Sequence, residues 1–405
     1  MSRRILLVDC DQFFVQCARL ADPDGAGREE LLLVGGSPSG RGVVTSASYA
    51  TRAFGVRSGM PTAQALRLCP AARVVPVPRG LCGRKSRDVR AVLQRFTPIV
   101  EPASIDEAYM DMTGTEELYR EPLDATAQRI RAAVLADAAI SVSIGGGTSR
   151  LVAKLAAGRA KPAGVRIVEP GGEVDFMRAL RLSDIPGVGP VFAAHLERMG
   201  LSTVEGALGV SEVALCQMLG HTRGRWLYRR VRGVDGGVVR PDLRARSVSR
   251  EETFPLDIDD DAALETELLA LAGRVAADLR EHDVRARTIT VKLRDADFRT
   301  RRAARTLRSG IESDRAVFAT ARLLLQRLRA ARRSPARLLG VAASGLDNGG
   351  LGDQLALFDG EAIESERDRL LSRTTDQLRK RFGSSAIRPA ALGTGDRDRR
   401  PAGDR

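Results

Sequence analysis

The sequence predicts a multidomain α+β protein, and three observations carry that expectation. Its 405 residues suffice for about two to four domains with sizeable cores. Residues 1 to about 165 alternate short strand-like apolar runs with helix-like segments. A small helical stretch, a basic linker and a second α/β module then follow, from about 247 to 344.

In the first region the spacing predicts strands over 4–9, 31–34, 42–46, 107–112, 140–144 and 165–168, and helices over 13–20, 61–68, 84–96, 123–136 and 149–157. The run Ile5-Leu6-Leu7-Val8 ends in Asp9-Cys10-Asp11. A buried strand of branched residues would deliver that acid to its open end. A second acidic cluster is Ser104-Ile105-Asp106-Glu107-Ala108-Tyr109-Met110-Asp111. Two such strands side by side would gather three or more carboxylates, a charge tolerable only beside cations. Hard, oxygen-seeking ions such as Mg²⁺ suit such donors. Two ordinary strand ends with solvated acids are the plainer explanation. Successive strand residues face opposite ways, so Asp106 and Glu107 can share one site only if the strand starts or bulges there.

Residues 170–233 read as small helices. The segment Ile185-Pro186-Gly187-Val188-Gly189, followed by a helical pattern, resembles a helix-hairpin-helix element. Gly187 and Gly189 would let the backbone approach a phosphate, with the helix N-terminus offering N–H groups; a simple turn is the alternative. The linker 234–246 carries Arg240, Arg244 and Arg246 among glycine and proline. In the second module, 287–294 alternates Ile289, Val291 and Leu293 with Thr288, Thr290, Lys292 and Arg294, and a helix is expected over 314–330. Its basic face could lie along a phosphate backbone or simply be solvated. After 346 the chain turns glycine-rich and polar, with an apolar island, Gln354-Leu355-Ala356-Leu357-Phe358, then a charged helix over 361–382 and an end, 390–405, of disordered composition.

Formal net charge is +13 and the pI is about 10.3, which favours a polyanionic partner, nucleic acid above all. Only Lys85, Lys154, Lys161, Lys292 and Lys380 are lysines; genomic base composition accounts for that bias. Five cysteines without a CxxC pair argue against a disulfide framework or zinc site and for a reducing, cytoplasmic setting. No stretch is apolar for long enough to span a membrane or act as a signal peptide.

Several segments, in order from about residue 3 to 358, resemble the Y-family translesion DNA polymerases, most closely the bacterial DinB branch (DNA polymerase IV). These are DCDQFF, SYATRAFGVRSGMP, SIDEAYMDMT, SIGGGTSRLVAKLAAGRAKPAG and SVSREETF. The resemblance implies a right-hand architecture: palm over 1–11 and 77–167, fingers over 12–76, and a helix-hairpin-helix thumb over 168–233. The linker 234–246, a little finger over 247–345 and a flexible tail over 346–405 complete it. It implies that Asp9, Asp106, Glu107 and the Cys10 carbonyl hold two Mg²⁺ ions. Tyr49, Arg52 and Lys161 match contacts to the β- and γ-phosphates, with Ser46 where threonine is common, and Phe14 matches the steric gate against ribonucleotides; core packing explains Phe13 more simply. Gln354, Leu355, Leu357 and Phe358 resemble the peptide that docks on the sliding clamp. The implied partners are primer–template DNA, deoxynucleoside triphosphates and the clamp, with the polymerase itself a monomer.

Three departures from the family pattern stand out. Ala18 replaces a glutamate, Cys82 stands where an early palm aromatic is common, and Ser149-Arg150 replaces an Asn-Lys pair while keeping its charge. The rival functions are a non-catalytic clamp and DNA adaptor related to this family, or a helix-hairpin-helix DNA-binding protein or nuclease. The adaptor is disfavoured by the presence of Asp9, Asp106 and Glu107. The other leaves Phe14 and the Tyr49–Arg52 segment unexplained.

Overall fold

The computed structural model describes residues 2–242, 245–347, 363–383 and 385–392. Arg244 and the island Gln354–Phe358 lie outside the described residues. The chain divides into two compact units, 1–243 and 244–405.

The first unit holds β1 (Ile5–Cys10), β2 (Leu32–Gly35), β3 (Val44–Ala47), β4 (Arg73–Val75), β5 (Val100–Pro102), β6 (Glu107–Asp111), β7 (Val142–Gly147) and β8 (Val165–Ile167). They form a five-stranded sheet in the order β5-β6-β1-β7-β8 and a three-stranded sheet in the order β3-β2-β4. β1 is buried along its whole length, as its branched apolar run demands. Its two faces have different covers. Leu6, Val8 and Cys10 join a core with residues of the helices Arg79–Leu93 and Leu123–Ala138. Ile5 and Leu7 pack with Tyr109 against Ala153 and Ala157 of the helix Arg150–Ala160. That helix lies close on β7 because Gly145 has no side chain; a Cβ there would sit 2.0 Å from Ala157 N.

The helix expected over 84–96 begins earlier, at Arg79 after Pro78, and ends at Leu93. Gly80 and Gly83 in its first turns weaken the local helix signal that the packed face restores. From Glu173 to Arg230 five helices and one 3-10 turn form a small helical assembly around Leu196, Val204, Leu215 and Leu227.

The second unit is a four-stranded antiparallel sheet of β9 (Ser247–Ile258), β10 (Arg285–Asp295), β11 (Thr300–Ile311) and β12 (Ala336–Asp347), ordered β11-β10-β12-β9. Ile289, Val291 and Leu293 of β10 are fully buried under the helices Asp261–Glu281 and Asp314–Ala331. The charged helix expected over 361–382 runs from Glu366 to Phe382. No helix among the described residues is long and apolar enough to cross a membrane.

Candidate active site

Antiparallel pairing sets Asp9 directly opposite Glu107 on β6 and Ser143 on β7, so the three side chains share one sheet face. The adjacency of Asp106 and Glu107 is resolved in the first of the two expected ways: β6 starts at Glu107, and Asp106 belongs to the turn before it. That turn closes through Ala103 N and Ser104 N, which both donate to Glu107 O (2.9 and 3.1 Å). Cys10 N donates to Asp106 O at 2.9 Å, which ties the turn to the end of β1. Ser104 Oγ caps the Asp106 carboxylate at 2.5 Å.

Two lysines meet these acids. Lys154 Nζ donates to both Glu107 carboxylate oxygens, at 2.8 and 2.6 Å. Lys161 Nζ lies 2.7 Å from Asp9 Oδ1. Burial pushes the Asp9 carboxyl up to about 6; Lys161 opposes that, and the charges of Glu107 and Asp106 add to it. Burial works against the Lys154 ammonium, but Glu107 outweighs it and holds Lys154 above its ordinary value. Asp9 and Glu107 therefore come together, with Asp106 close enough for its charge to act on Asp9. Among the described residues no three such side chains close into a group that could hold a metal ion.

The remaining predicted contacts stand nearby on short elements. Ser48 caps the one-turn helix Tyr49–Arg52, and Tyr49 N donates to Gln12 Oε1 at 2.9 Å. The Arg52 guanidinium lies over the Tyr49 ring, 4.8 Å from its centroid, and Arg52 Nε donates to Ala47 O. Ser46 is buried on β3. Phe13 is buried in the core, whereas Phe14 is half-buried and meets it edge-on at 5.5 Å. The Tyr49 hydroxyl donates to Asp11, a residue given no role by sequence reasoning. Nothing in the motif distinguishes Asp11 from a further ligand.

The family departures have structural consequences. Cys82 is buried with Cys17 and Phe13 in the core beneath the site, so it alters packing there. Ala18 is buried with Val15, Ala26, Leu32 and Val34. Ser149 caps its helix, and Arg150 does more than carry charge. It forks onto Glu101 at 2.6 and 2.7 Å, covers the Tyr109 ring and donates to Val238 O. With Glu101 also accepting from Arg240 N, the start of the linker is fastened to the first unit.

The DNA-contact candidates are dispersed. Gly187 has φ +103°, and a Cβ there would strike the Trp226 ring at 2.7 Å, so glycine is required. Gly189 has open space and caps the helix Pro190–Arg198, whose first residue has no N–H to offer. The Arg240 and Arg246 side chains are exposed. In the second unit Lys292 Nζ is paired with Glu251 (2.6 Å), and Arg294 Nε donates to Thr300 Oγ1 (2.9 Å).

The chain is similar to several known proteins. Residues 8–158 match the impB/mucB/samB family, and residues 245–357 match the impB/mucB/samB family C-terminal domain. The DNA polymerase IV of Dehalococcoides mccartyi is 35% identical over 387 residues, covering 95% of this chain and 96% of that one. That of Brucella melitensis biotype 1 is 36% identical over 380 residues, covering 94% and 83%. Among solved structures, the Y-family DNA polymerase chimera Dbh-Dpo4(243-245)-Dbh superposes with a TM-score of 0.76 at 25% identity, covering 85% of this chain and 99% of that one. The insertion ternary complex of Dbh DNA polymerase gives 0.62 at 26%, covering 84% and 98%.

Proposed function

Because the chain belongs to the Y-family of DNA polymerases, in the DinB branch of bacterial DNA polymerase IV, we propose that the Asp9–Glu107 end of its five-stranded sheet performs template-directed nucleotidyl transfer. The protein is a DNA-directed DNA polymerase of the translesion class, and its family is metal-dependent. The observation that carries the site is the register: Asp9 and Glu107 face one side of paired strand ends, with Asp106 fastened behind them. A non-catalytic adaptor has no use for that arrangement.

Asp9, Asp106, Glu107 and the Cys10 carbonyl offer oxygen donors, the kind Mg²⁺ takes. Burial raises the Asp9 carboxyl, Lys161 opposes that rise, and the charges of Glu107 and Asp106 add to it. The donor set is of the kind that takes Mg²⁺, while Lys154 and Lys161 hold Glu107 and Asp9 in this arrangement; two such ions, when bound, would acidify the primer 3′-hydroxyl and neutralise the triphosphate. The primer 3′-hydroxyl gives up its proton to solvent, its oxygen bonds to the α-phosphorus, the bond from the α-phosphorus to the bridging oxygen of the β-phosphate breaks, and pyrophosphate leaves with the electron pair. Lys161 and Arg52 supply cationic donors to the β- and γ-phosphates, with Tyr49 and Ser46 beside them. Phe14 places its ring beneath the sugar, where a 2′-hydroxyl would collide.

On this reading the five-stranded sheet is the palm (1–11, 77–167) and the three-stranded sheet lies in the fingers (12–76). Residues 168–233 are the thumb and 247–345 the little finger; within 346–405, expected to be a flexible tail, the 354–358 peptide docks on the sliding clamp, but the helix Glu366–Phe382 is bonded to the second unit through Asp376 and Arg373. Primer–template DNA would meet Gly187, Gly189, Arg240, Arg244, Arg246, Lys292 and Arg294. Synthesis is distributive and of low fidelity, by a monomer in the cytoplasm.

Primer extension with Mg²⁺ and four deoxynucleotides, on intact and damaged templates, tests the proposal. Asp106→Ala and Glu107→Ala should abolish extension and leave primer–template affinity nearly unchanged, because DNA affinity comes from basic residues elsewhere. Extension above about a tenth of the wild-type rate in either variant overturns the assignment.

A further inference from the structure

The Asp11 carboxylate is 2% exposed, two residues beyond Asp9. A buried carboxylate has roughly four acceptor positions, and leaving them empty is costly. Asp11 fills them from three parts of the chain. Oδ1 accepts from the Tyr49 hydroxyl (2.9 Å) and the Ser143 hydroxyl (2.8 Å). Oδ2 accepts from the Ser141 hydroxyl (3.0 Å) and Ala163 N (3.0 Å). The backbone is fixed as well: Asp11 N donates to Ser141 O, and Asp11 O accepts from Gln16 Nε2.

We infer that Asp11 is a positioning residue for the incoming nucleotide: one carboxylate fixes the Tyr49 ring and the turn after Lys161 in place together. The inference rests on the reading of Arg52 and Lys161 as triphosphate contacts. One arm runs from Asp11 through Ala163 N to the turn that carries Lys161, whose ammonium lies on Asp9. The other runs through the Tyr49 hydroxyl to the ring on which the Arg52 guanidinium rests. A phenol has one proton, and Tyr49 commits its proton to Asp11. Tyr49 therefore serves the phosphates by holding Arg52 and not by donating to them while that bond stands. Burial and the bond to Asp11 hold the Tyr49 phenol well above its ordinary pKa, in keeping with a neutral donor.

Asparagine has the same shape and one acceptor oxygen fewer. In Asp11→Asn that oxygen can serve Ser141 and Ala163, which turns the amide N–H groups toward Tyr49 and releases its proton. Single-nucleotide incorporation should be measured for wild type, Asp11→Asn, Lys161→Ala and the double variant, with primer–template Kd and melting temperature recorded for each. We expect Asp11→Asn to raise the deoxynucleotide KM by about tenfold, the scale of one lost buried hydrogen bond, with kcat and DNA Kd changed by less than about threefold. The double variant should fall short of the product of the single effects by about threefold or more, since coupled residues are non-additive. An unchanged KM in folded Asp11→Asn, or full multiplication with Lys161→Ala, overturns the inference. If Asp11→Asn does not fold, Ser141→Ala removes one of the four donors and keeps the charge. Its KM should rise by about threefold, and no rise overturns the inference. A Lys161→Ala enzyme with unaltered KM would instead remove the reading of Lys161 as a phosphate contact.

Discussion

Glu251 reaches over the backbone of Gly340 to take the ammonium of Lys292 at 2.6 Å. The three residues are in register on neighbouring strands, Lys292 opposite Gly340 and Gly340 opposite Glu251. The pair forms because the middle strand carries no side chain there; a Cβ on Gly340 would lie 3.0 Å from Glu251 Cβ. A phosphate must compete with Glu251 for Lys292. Glu251→Gln should therefore tighten DNA binding and steepen its salt dependence, by up to about 0.9 in the log–log slope for one added phosphate contact. Lys292→Ala should weaken binding and leave Glu251 repelling the backbone. Alanine at Arg240 or Arg246, exposed cations, should each flatten the slope by about 0.9 on duplex DNA. A salt series of binding measurements checks all four, and an unaltered Kd in Glu251→Gln means this face turns away from DNA.

Phe14→Ala should admit ribonucleotides with little loss of deoxynucleotide incorporation. Phe14 meets Phe13 edge-on and is half-buried at the border of two cores, so truncation removes a wall while Phe13 keeps its buried place. Steric exclusion acts on the sugar and not on the transferring phosphorus. Comparing kcat/KM for each nucleotide pair measures it. Unchanged ribonucleotide rejection would place the gate elsewhere.

What could be seen in the sequence, and what could not, follows from how local each signal is. β1 and β10 were legible because a run of branched residues and a strict alternation each declare themselves within a few positions. The conflict between adjacent Asp106 and Glu107 was legible too, and the strand start at Glu107 is one of its two solutions. The helix Asp261–Glu281 was not separated from its module, although Leu264, Leu268, Leu271, Val275 and Leu279 form its buried stripe. Alanines and scattered charges dilute that stripe's contrast. Asp11 was out of reach for another reason: its partners Tyr49, Ser141, Ser143 and Ala163 are far away in the chain. Arg150 read only as a positive charge kept in place of a lysine, and only the fold brings Glu101 to it.

Replacing Leu357 and Phe358 by alanine should abolish stimulation by the sliding clamp. The proposal rests on the pattern Gln354-Leu355-Ala356-Leu357-Phe358. Two apolar side chains would fill a pocket on the clamp, with Gln354 at its edge. Tethering raises local concentration without altering the active site, so distributive synthesis and melting temperature should match wild type. Full stimulation in the double variant, or a markedly earlier melt, overturns the docking role.

Beyond that peptide, Glu364 should fasten the C-terminal helix Glu366–Phe382 to the second unit. Its buried carboxylate accepts from Glu312 N (2.9 Å) and Ser313 N (2.5 Å), ahead of the helix Asp314–Ala331, and from Arg369 Nε (2.7 Å). The same helix adds Asp376, which takes the Arg280 fork at 2.6 and 3.0 Å, and Arg373, which meets buried Glu312 at 2.9 Å. Burial alone would raise the Glu364 carboxyl; the bonds from Arg369, Ser313 and Glu312 outweigh it and hold it below its ordinary value of 4.5. A carboxyl lowered by folding stabilises the fold above that value and loses its contribution as the pH falls through the folded pKa. Glu364→Gln should therefore cost about 1–3 kcal/mol at neutral pH, because it leaves donors buried and short of an acceptor. The gap in melting temperature from wild type should narrow as the pH drops below about 4.5. Extension of an intact primer should be unchanged, since Glu364 belongs to the second unit and Asp9 to the first. Equal melting temperatures at neutral pH, or a gap that widens in acid, would show that the carboxylate does not hold the helix.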